Sequence, residues 1–217
     1  MRSLRELKAD VGLRFRILWG KSVRLIARPP FPEHPDGARY VHLGCGLIAH
    51  PAFVNVDAIP RPHVHFVSGI ARLPMFADDS VDMIYASHCL EHLSYRNTPA
   101  VLKEWHRVLK PGGLLRVSVP DFDCLIDIYE AAGNNMGSII EQIYGGHEDP
   151  YNIHMTIFNR AELERILIAT GFENCRLWSP GSDELSKIND FSSYEKKIAD
   201  RTYPVSLNLE ATKRHAV

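Results

Sequence analysis

Paired cysteines and long apolar runs are both missing from the sequence. The four cysteines, Cys45, Cys89, Cys124 and Cys175, lie far apart and show none of the spacings of a zinc site or a disulfide framework. No apolar run approaches the roughly 20 residues that a membrane-spanning helix needs, and no uninterrupted hydrophobic stretch precedes a cleavage site near the N-terminus. These absences argue against secretion and membrane spanning, and a reducing, cytoplasmic compartment is expected.

The charge is balanced overall but divided along the chain. The 217 residues have a net charge of −1, yet residues 1–28 hold eight Lys/Arg and two Asp/Glu, a net charge of +6. The remainder has 17 basic and 24 acidic residues, a net charge of −7, which indicates different roles for the two regions. Nucleic acid is not expected as a partner, because a phosphate backbone demands a basic surface and the larger region is acidic.

Residues 1–28 have the pattern of a basic amphipathic helix. Its apolar stripe recurs at intervals of three and four residues and consists of Leu4, Leu7, Val11, Phe15 and Leu18. In the interpretation that we prefer, this stripe packs on the main domain. In the other, the helix makes a peripheral contact with the inner face of an anionic membrane or with an acidic partner. Four prolines make residues 29–37 a stiff linker.

Residues 38–217 alternate between strand and helix patterns, which predicts one domain with a mostly parallel sheet covered on both faces. The predicted strands are Tyr40–Leu43, Val54–Asp57, Val64–Val67, Met83–Ala86, Leu114–Val119, Cys175–Trp178 and Ser206–Glu210. The predicted helices are Pro99–Leu109, Phe122–Glu130 and Arg160–Thr170. A polar insert near residues 134–158 separates the fifth strand from the last long helix.

The first strand runs into a glycine turn, Gly44-Cys45-Gly46, where backbone can approach a ligand without interference from Cβ atoms. With Ala49 these glycines also fit a loose dinucleotide pattern, so a nicotinamide-dependent oxidoreductase must be considered. However, Asp57 closes the next strand only 13 residues after Gly44, where a dinucleotide site expects about 20. The first helix must therefore be very short. This favours a ligand with ribose but no phosphate, such as S-adenosyl-L-methionine, over a pyrophosphate.

Further short motifs follow the turn in a fixed order. They are Leu43-Gly44-Cys45-Gly46, Val54-Asn55-Val56-Asp57, Leu73-Pro74, Asp78-Asp79-Ser80-Val81-Asp82, Leu90-Glu91-His92-Leu93, Glu104, Arg107-Val108-Leu109-Lys110-Pro111-Gly112-Gly113 and Val119-Pro120-Asp121. Over roughly residues 39–178 the sequence thereby resembles the class I S-adenosylmethionine-dependent methyltransferases of the Methyltransferase 11 type. The resemblance implies an α/β fold with a Rossmann-like seven-stranded, mostly parallel sheet, helices on both faces and an antiparallel last strand.

The resemblance also implies cofactor contacts. Backbone around Gly44, Cys45 and Gly46 would hold the methionine portion, and Asp57 would accept hydrogen bonds from both ribose hydroxyls. Members often carry an acidic residue after the third strand for the adenine amino group. This chain has Ser68-Gly69-Ile70-Ala71 instead, so backbone near Ile70 and Ala71 is expected to bind adenine. Ser87, at the end of the fourth strand, is expected beside the cofactor.

Two histidine groups are candidates for the methyl acceptor site. If a helix begins at His88, then His88, Glu91 and His92 share one side of it and resemble a metal triad. We prefer the interpretation without a metal, in which His88 alone faces the cleft as a base. In the polar insert, Tyr151 and His154 are the better candidates and His147 the weaker one, although this insert also fits a solvated loop. Asp121 is a further candidate, with helix capping as its alternative role.

Together these features predict O-methyl transfer from S-adenosylmethionine to a small molecule or a saccharide or glycan acceptor. The glycan assignment follows from similarity to a subgroup linked to cell-surface glycan synthesis, in which a short first helix precedes Asn55-Val56-Asp57. A module that binds the cofactor without turnover is one alternative. A nicotinamide-dependent oxidoreductase is a less favoured one.

Overall fold

A computed structural model describes the backbone of residues 4–215 and the side-chain environments of residues 10–215. The helices are α1 (Leu4–Ile26), α2 (Thr98–Val108), α3 (Phe122–Ala131), α4 (Ile140–Tyr144) and α5 (Arg160–Ala169). The strands are β1 (Tyr40–Leu43), β2 (Phe53–Asp57), β3 (Phe66–Val67), β4 (Val81–Ser87), β5 (Leu109–Pro120), β6 (Phe172–Leu177), β7 (Glu195–Ile198), β8 (Arg201–Pro204) and β9 (Ser206–Lys213). Residues 1–3, which begin the predicted N-terminal region, lie outside the described part.

Seven strands form one sheet in the order β3-β2-β1-β4-β5-β9-β6. The pairs from β3 to β5 are parallel, whereas β9 runs antiparallel to both β5 and β6. The order changes direction at β1, so the carboxyl ends of β1 and β4 open a crevice where ligands bind in such sheets. The predicted fold class, including the antiparallel last strand, is confirmed.

The two faces of the sheet differ because side chains alternate along each strand. One face is apolar and packs against α2 and α5 through residues such as Leu102, Trp105 and Leu163. The other carries polar and aromatic residues, among them His42 and Tyr85, and is covered by the segment 178–194. The crevice therefore opens beside a face that offers polar atoms to a ligand.

Several predicted boundaries differ from the structure. No helix lies between β1 and β2, where a very short one was predicted; residues 44–52 form turns and irregular backbone instead. The third strand covers only Phe66–Val67, and the sixth begins at Phe172 rather than Cys175. The hairpin β7–β8, which packs against α3, was not predicted.

Helix α1 exposes most of the apolar stripe that the preferred interpretation packs against the main domain. Ile17 packs against the main domain, and Gly20 is buried. Val11, Phe15 and Leu18 remain 62%, 67% and 65% exposed, so the interpretation that packs this stripe on the domain is wrong for these three residues. Leu4 and Leu7 lie outside residues 10–215, whose side-chain environments the structure describes. Over the described residues, no helix is both long and apolar enough to cross a bilayer.

Candidate active site

The glycine bend after β1 has the backbone shape that the sequence predicted. Gly44 and Gly46 adopt positive φ angles of 64° and 54°, and the Gly44 amide donates to the Val56 carbonyl at 2.9 Å. A Cβ atom on Gly44 would lie 2.6 Å from Cβ of Cys89, whereas one on Gly46 would have no neighbour within 4 Å. Gly44 is therefore required by packing and conformation, and Gly46 borders open space.

The Asp57 carboxylate faces this bend and ties it to β2. Oδ2 accepts from the Gly46 amide at 2.8 Å, and Oδ1 accepts from the Ile59 amide at 2.7 Å. Oδ1 also lies 3.3 Å from the Arg61 guanidinium. An ionised carboxylate accepts about four hydrogen bonds, so ribose hydroxyls can reach Asp57 if the long Arg61 contact opens.

A cavity of about 950 Å³ opens at the carboxyl ends of β1, β2 and β4. All seven residues predicted to bind the cofactor line it, namely Gly44, Cys45, Gly46, Asp57, Ile70, Ala71 and Ser87. This volume lies at the upper end of the range for small-molecule sites, which is about 300–1,000 Å³. It therefore has room for a nucleoside cofactor together with part of an acceptor.

The two residues predicted for adenine are not equivalent. The Ile70 carbonyl already accepts a hydrogen bond from Nε1 of the buried Trp105 at 2.8 Å, which directs it toward the apolar core. Ala71 is exposed in the cavity wall. Its backbone is thus the better placed of the two to contact a base.

Two buried polar atoms in the cavity wall have no partner among the described residues. They are Oγ of Ser87 and Nδ1 of His42, whose residues are 8% and 1% exposed. A buried polar atom without a partner costs about 1–3 kcal/mol, and a polar ligand would remove that cost. These atoms, the Gly46 opening and the Asp57 carboxylate together fit S-adenosylmethionine. His42 was not predicted, although it lies in β1 only two residues before Gly44.

His88 lies in the cavity wall directly after β4, in a backbone conformation with φ of 48° that is uncommon outside glycine. Its Nε2 is 2.7 Å from Oγ of Ser206, and its Nδ1 is 3.3 Å from Oε1 of Glu91. Ser206 Oγ can also donate to the Phe191 carbonyl at 2.7 Å. Nε2 of the imidazole is therefore hydrogen-bonded, and Nδ1 faces the Glu91 carboxylate.

Glu91 is a carboxylate buried behind His88, with only 1% of its surface exposed. Burial alone would raise its pKa, but the close imidazole of His88 and the charge of His92 lower the pKa below the usual value. No well-directed hydrogen bond reaches its oxygens from the described residues, so the 3.3 Å approach of His88 is a loose contact. The carboxylate thus places a buried negative charge beside the imidazoles of His88 and His92.

The metal triad considered from the sequence, His88, Glu91 and His92, is not the group that the structure brings together. Glu91, His92 and His154, rather than His88, bring one potential ligand atom each within 4.8 Å of the others. Nε2 and Nδ1 of His92 lie 3.1 and 3.3 Å from the carbonyls of His88 and Ile153. Binding a metal would require His92 to give up one of these contacts.

The predicted acceptor residues fall in different places. Tyr151 lines the cavity together with Asp149, Pro150 and Asn152. His154 is not part of the wall; its ring packs edge-on against His92 at 4.8 Å, and burial lowers its pKa. His147 bonds to the Tyr144 carbonyl outside the cavity.

Asp121 accepts from the Asp123 amide as the N-cap of α3, which matches its alternative role.

The opposite wall comes from a segment that sequence reasoning missed. Its lining residues are Asn189, Asp190, Phe191, Ser193, Tyr194 and Glu195. The Asp190 carboxylate accepts from the Tyr85 hydroxyl at 2.8 Å, which fixes this segment to β4. No periodic pattern marks these residues; the only signal is an aromatic and acidic cluster between two predicted strands.

Comparison with known proteins identifies the family. The model of the family described as "Methyltransferase domain" matches residues 22–177. Over 125 residues the chain is 31% identical to the ubiquinone/menaquinone biosynthesis C-methyltransferase UbiE of Vibrio campbellii, covering 54% of this chain and 47% of that protein. The chain thus spans about half the length of the curated relatives that it matches.

Two solved structures show the same fold at low sequence identity. One is a Thermotoga maritima S-adenosylmethionine-dependent methyltransferase described as a possible histamine N-methyltransferase, with a TM-score of 0.51, 19% identity and coverage of 97% of this chain and 95% of that one. The other is the Burkholderia thailandensis 1,6-didemethyltoxoflavin-N1-methyltransferase with bound 1,6-didemethyltoxoflavin and S-adenosylhomocysteine. Its TM-score is 0.50 and its sequence identity 16%, and the match covers 99% of this chain and 92% of that one. The chain belongs to the methyltransferase domain family.

Proposed function

We propose that this methyltransferase transfers a methyl group to a hydroxyl of a neutral small molecule or saccharide, with His88 as the base. The observation that carries the proposal is the cavity wall itself, in which the ribose-binding carboxylate Asp57 and the imidazole of His88 face one space. The cofactor supplies an electrophilic methyl group on a sulfonium with a good leaving group. The protein therefore has mainly to align the acceptor, exclude water and remove one proton.

His88 takes the proton and Glu91 supports it. Nδ1 of His88 faces the buried Glu91 carboxylate, so the imidazolium formed when Nε2 accepts a proton has a nearby counter-charge. In this proposal the acceptor hydroxyl replaces Oγ of Ser206 at Nε2, which lies at hydrogen-bond distance. His154, which packs on His92 behind the wall, acts by positioning rather than by contact with the acceptor.

The outer part of the cavity supports a neutral, hydroxylated acceptor. Aromatic rings of Tyr151, Phe191 and Tyr194 offer flat apolar surfaces, and Asp149 and Glu195 offer carboxylates that accept hydrogen bonds from hydroxyls. Acidic side chains disfavour a phosphorylated or carboxylated group at this end. Saccharides present both apolar faces and hydroxyls, and so suit this combination.

C-methylation is a second candidate, because the UbiE relative is named as a C-methyltransferase. A carbon nucleophile on a phenolic or enolisable ring is also activated by loss of a proton, so the same base serves both reactions. The two candidates differ in the atom that carries the methyl group in the product.

The test is transfer of ¹³C-methyl groups from labelled S-adenosylmethionine to a panel of saccharides and phenols. Formation of S-adenosylhomocysteine separates an enzyme from a module that only binds the cofactor. The carbon chemical shift then separates an O-methyl product, which resonates well downfield, from a C-methyl product. His88→Ala is expected to lower kcat at least a hundredfold while cofactor affinity changes little, within the range for loss of a general base. Full turnover by this variant would refute the role of His88.

A further inference from the structure

Helix α1 is held to the main domain along one side only. Ile17 packs against Val64 and Val67. Gly20 lies so close to the domain that a Cβ atom there would be 2.4 Å from Cβ of Pro60. The Arg24 guanidinium donates to the Val64 carbonyl at 2.7 Å and to the Arg61 carbonyl at 2.8 Å. These contacts fix which side of the helix faces away.

The opposite side of α1 is apolar and exposed. Its large side chains are between 62% and 92% exposed and comprise Val11, Phe15, Leu18, Trp19, Leu25 and Ile26. At about 100° per residue they occupy a sector roughly 120° wide, centred nearly opposite Ile17 and Arg24. Among residues 10–26, the polar residue within this sector is Ser22, which donates its hydroxyl to the Leu18 carbonyl. Large apolar side chains grouped on one exposed face commonly mark a surface that binds a partner or a membrane.

Basic side chains border the apolar sector. Arg14 and Lys21 lie along one edge and Arg16 along the other, and all three are exposed. They belong to the region 1–28, whose net charge is +6. A wide apolar face containing aromatic residues, with Lys and Arg on its flanks, is the pattern of a helix that lies in the interface of an anionic bilayer.

We propose that α1 docks this methyltransferase on an anionic lipid bilayer, with Phe15, Leu18 and Trp19 inserted among the acyl chains and Arg14, Arg16 and Lys21 at the headgroups. This proposal does not depend on the identity of the methyl acceptor. Arg61, whose carbonyl is bonded to Arg24, also lines the cofactor cavity. Docking therefore holds the cavity within about one helix diameter, roughly 10 Å, of the bilayer surface. A second copy of the chain is the competing occupant of this face, because the remainder of the chain is acidic.

The first test is flotation of the full chain with vesicles. Vesicles containing anionic phosphatidylglycerol are expected to bind the protein at low ionic strength, and vesicles of phosphatidylcholine alone to bind it weakly. The triple variant Phe15→Ser, Leu18→Ser, Trp19→Ser is expected to lose binding. The matched control, Met136→Ser, Ile168→Ser, Leu177→Ser, changes three apolar residues of the catalytic domain that are 48–58% exposed, and is expected to bind as the unchanged protein does.

The second test removes charge. Arg14→Gln, Arg16→Gln, Lys21→Gln is expected to weaken binding to anionic vesicles about a hundredfold, since each basic residue near the surface contributes roughly fivefold. The control Arg160→Gln, Arg165→Gln, Lys187→Gln removes three exposed positive charges from the catalytic domain. It should change binding to anionic vesicles less than twofold. Fluorescence reports insertion directly, because Trp19 is exposed whereas Trp105 and Trp178 are buried. A blue shift and quenching by brominated lipid are expected.

Three results would overturn the proposal. The first is failure of the unchanged protein to float with anionic vesicles, and the second is equal flotation of the apolar triple variant. The third is a dimer in light scattering that this variant converts to a monomer without any effect of lipid, which would assign the face to a second copy.

Discussion

Asp57 holds the glycine bend and is proposed to bind the ribose of the cofactor, so its replacement by alanine tests the site most directly. In the proposed complex its carboxylate accepts hydrogen bonds from both ribose hydroxyls. Hydrogen bonds to a charged group contribute about 1.5–3 kcal/mol each, so their loss weakens binding by about 3 kcal/mol or more, roughly a hundredfold. Asp57→Ala is therefore expected to raise the Kd of S-adenosylhomocysteine well over tenfold in calorimetric titration.

The same substitution also has a structural cost that must be separated from binding. The amides of Gly46 and Ile59 lose their acceptor, at about 1–3 kcal/mol each, so unfolding without ligand should occur at lower temperature. Asp82→Ala is the matched control, because Asp82 accepts from the Arg39 amide at 2.7 Å and pairs with Lys110 at 2.7 Å, outside the cavity wall.

This control variant should lose stability while keeping its affinity for S-adenosylhomocysteine. Binding by Asp57→Ala within twofold of the unchanged protein would remove Asp57 from the cofactor site.

Two further substitutions test the bend and the polar face of the sheet. Gly44→Ala is expected to reduce the free energy of unfolding in urea by about 2–4 kcal/mol, because it adds a Cβ atom 2.6 Å from Cys89 at a positive φ; Gly69→Ala, with no neighbour within 4 Å, should cost less than about 1 kcal/mol, and equal losses would contradict this reasoning. Burial lowers the pKa of His42 to about 4. Between pH 6.5 and 4 the unfolded chain therefore takes up a proton that the folded chain does not, and unfolding free energy falls as the pH falls, by up to about 3 kcal/mol from this residue. His42→Gln should reduce that slope, and an unchanged slope in urea titrations across this range would show that His42 is not held neutral.

Much of the cofactor side could be predicted because its signals are local. A short apolar strand followed by glycine, as at β1, or ending in aspartate, as at β2, can be recognised from a few consecutive residues. The spacing from Gly44 to Asp57 limits what the chain can build between them, and the structure has only a turn there. Position within a strand also fixes the face of each side chain, so Asp57 and the bend were expected to meet, and they do at 2.8 Å.

The acceptor side could not be predicted in the same way, because residues distant in sequence build it. Asp190 reaches the cavity through the Tyr85 hydroxyl, 105 positions away along the chain. The strands β7 and β8 carry several charged side chains, so they lack the apolar alternation that marks a half-buried strand. Their position follows instead from packing against α3, which becomes visible only when the sheet is assembled.

The histidines after β4 show why residue spacing alone misassigned their partners. A shared side for His88, Glu91 and His92 assumes α-helical geometry from His88 onward, but His88 has a positive φ and only a short 3₁₀ turn, Leu90–His92, follows. The third imidazole near Glu91 and His92 then comes from His154 in the insert, because the amides of Met155 and Thr156 bond to the Glu91 carbonyl and bring that segment alongside. Glu91 thereby lies among three imidazoles with almost no contact with water. In the proposed reaction this buried carboxylate is the counter-charge for the imidazolium that forms when His88 removes the proton of the acceptor.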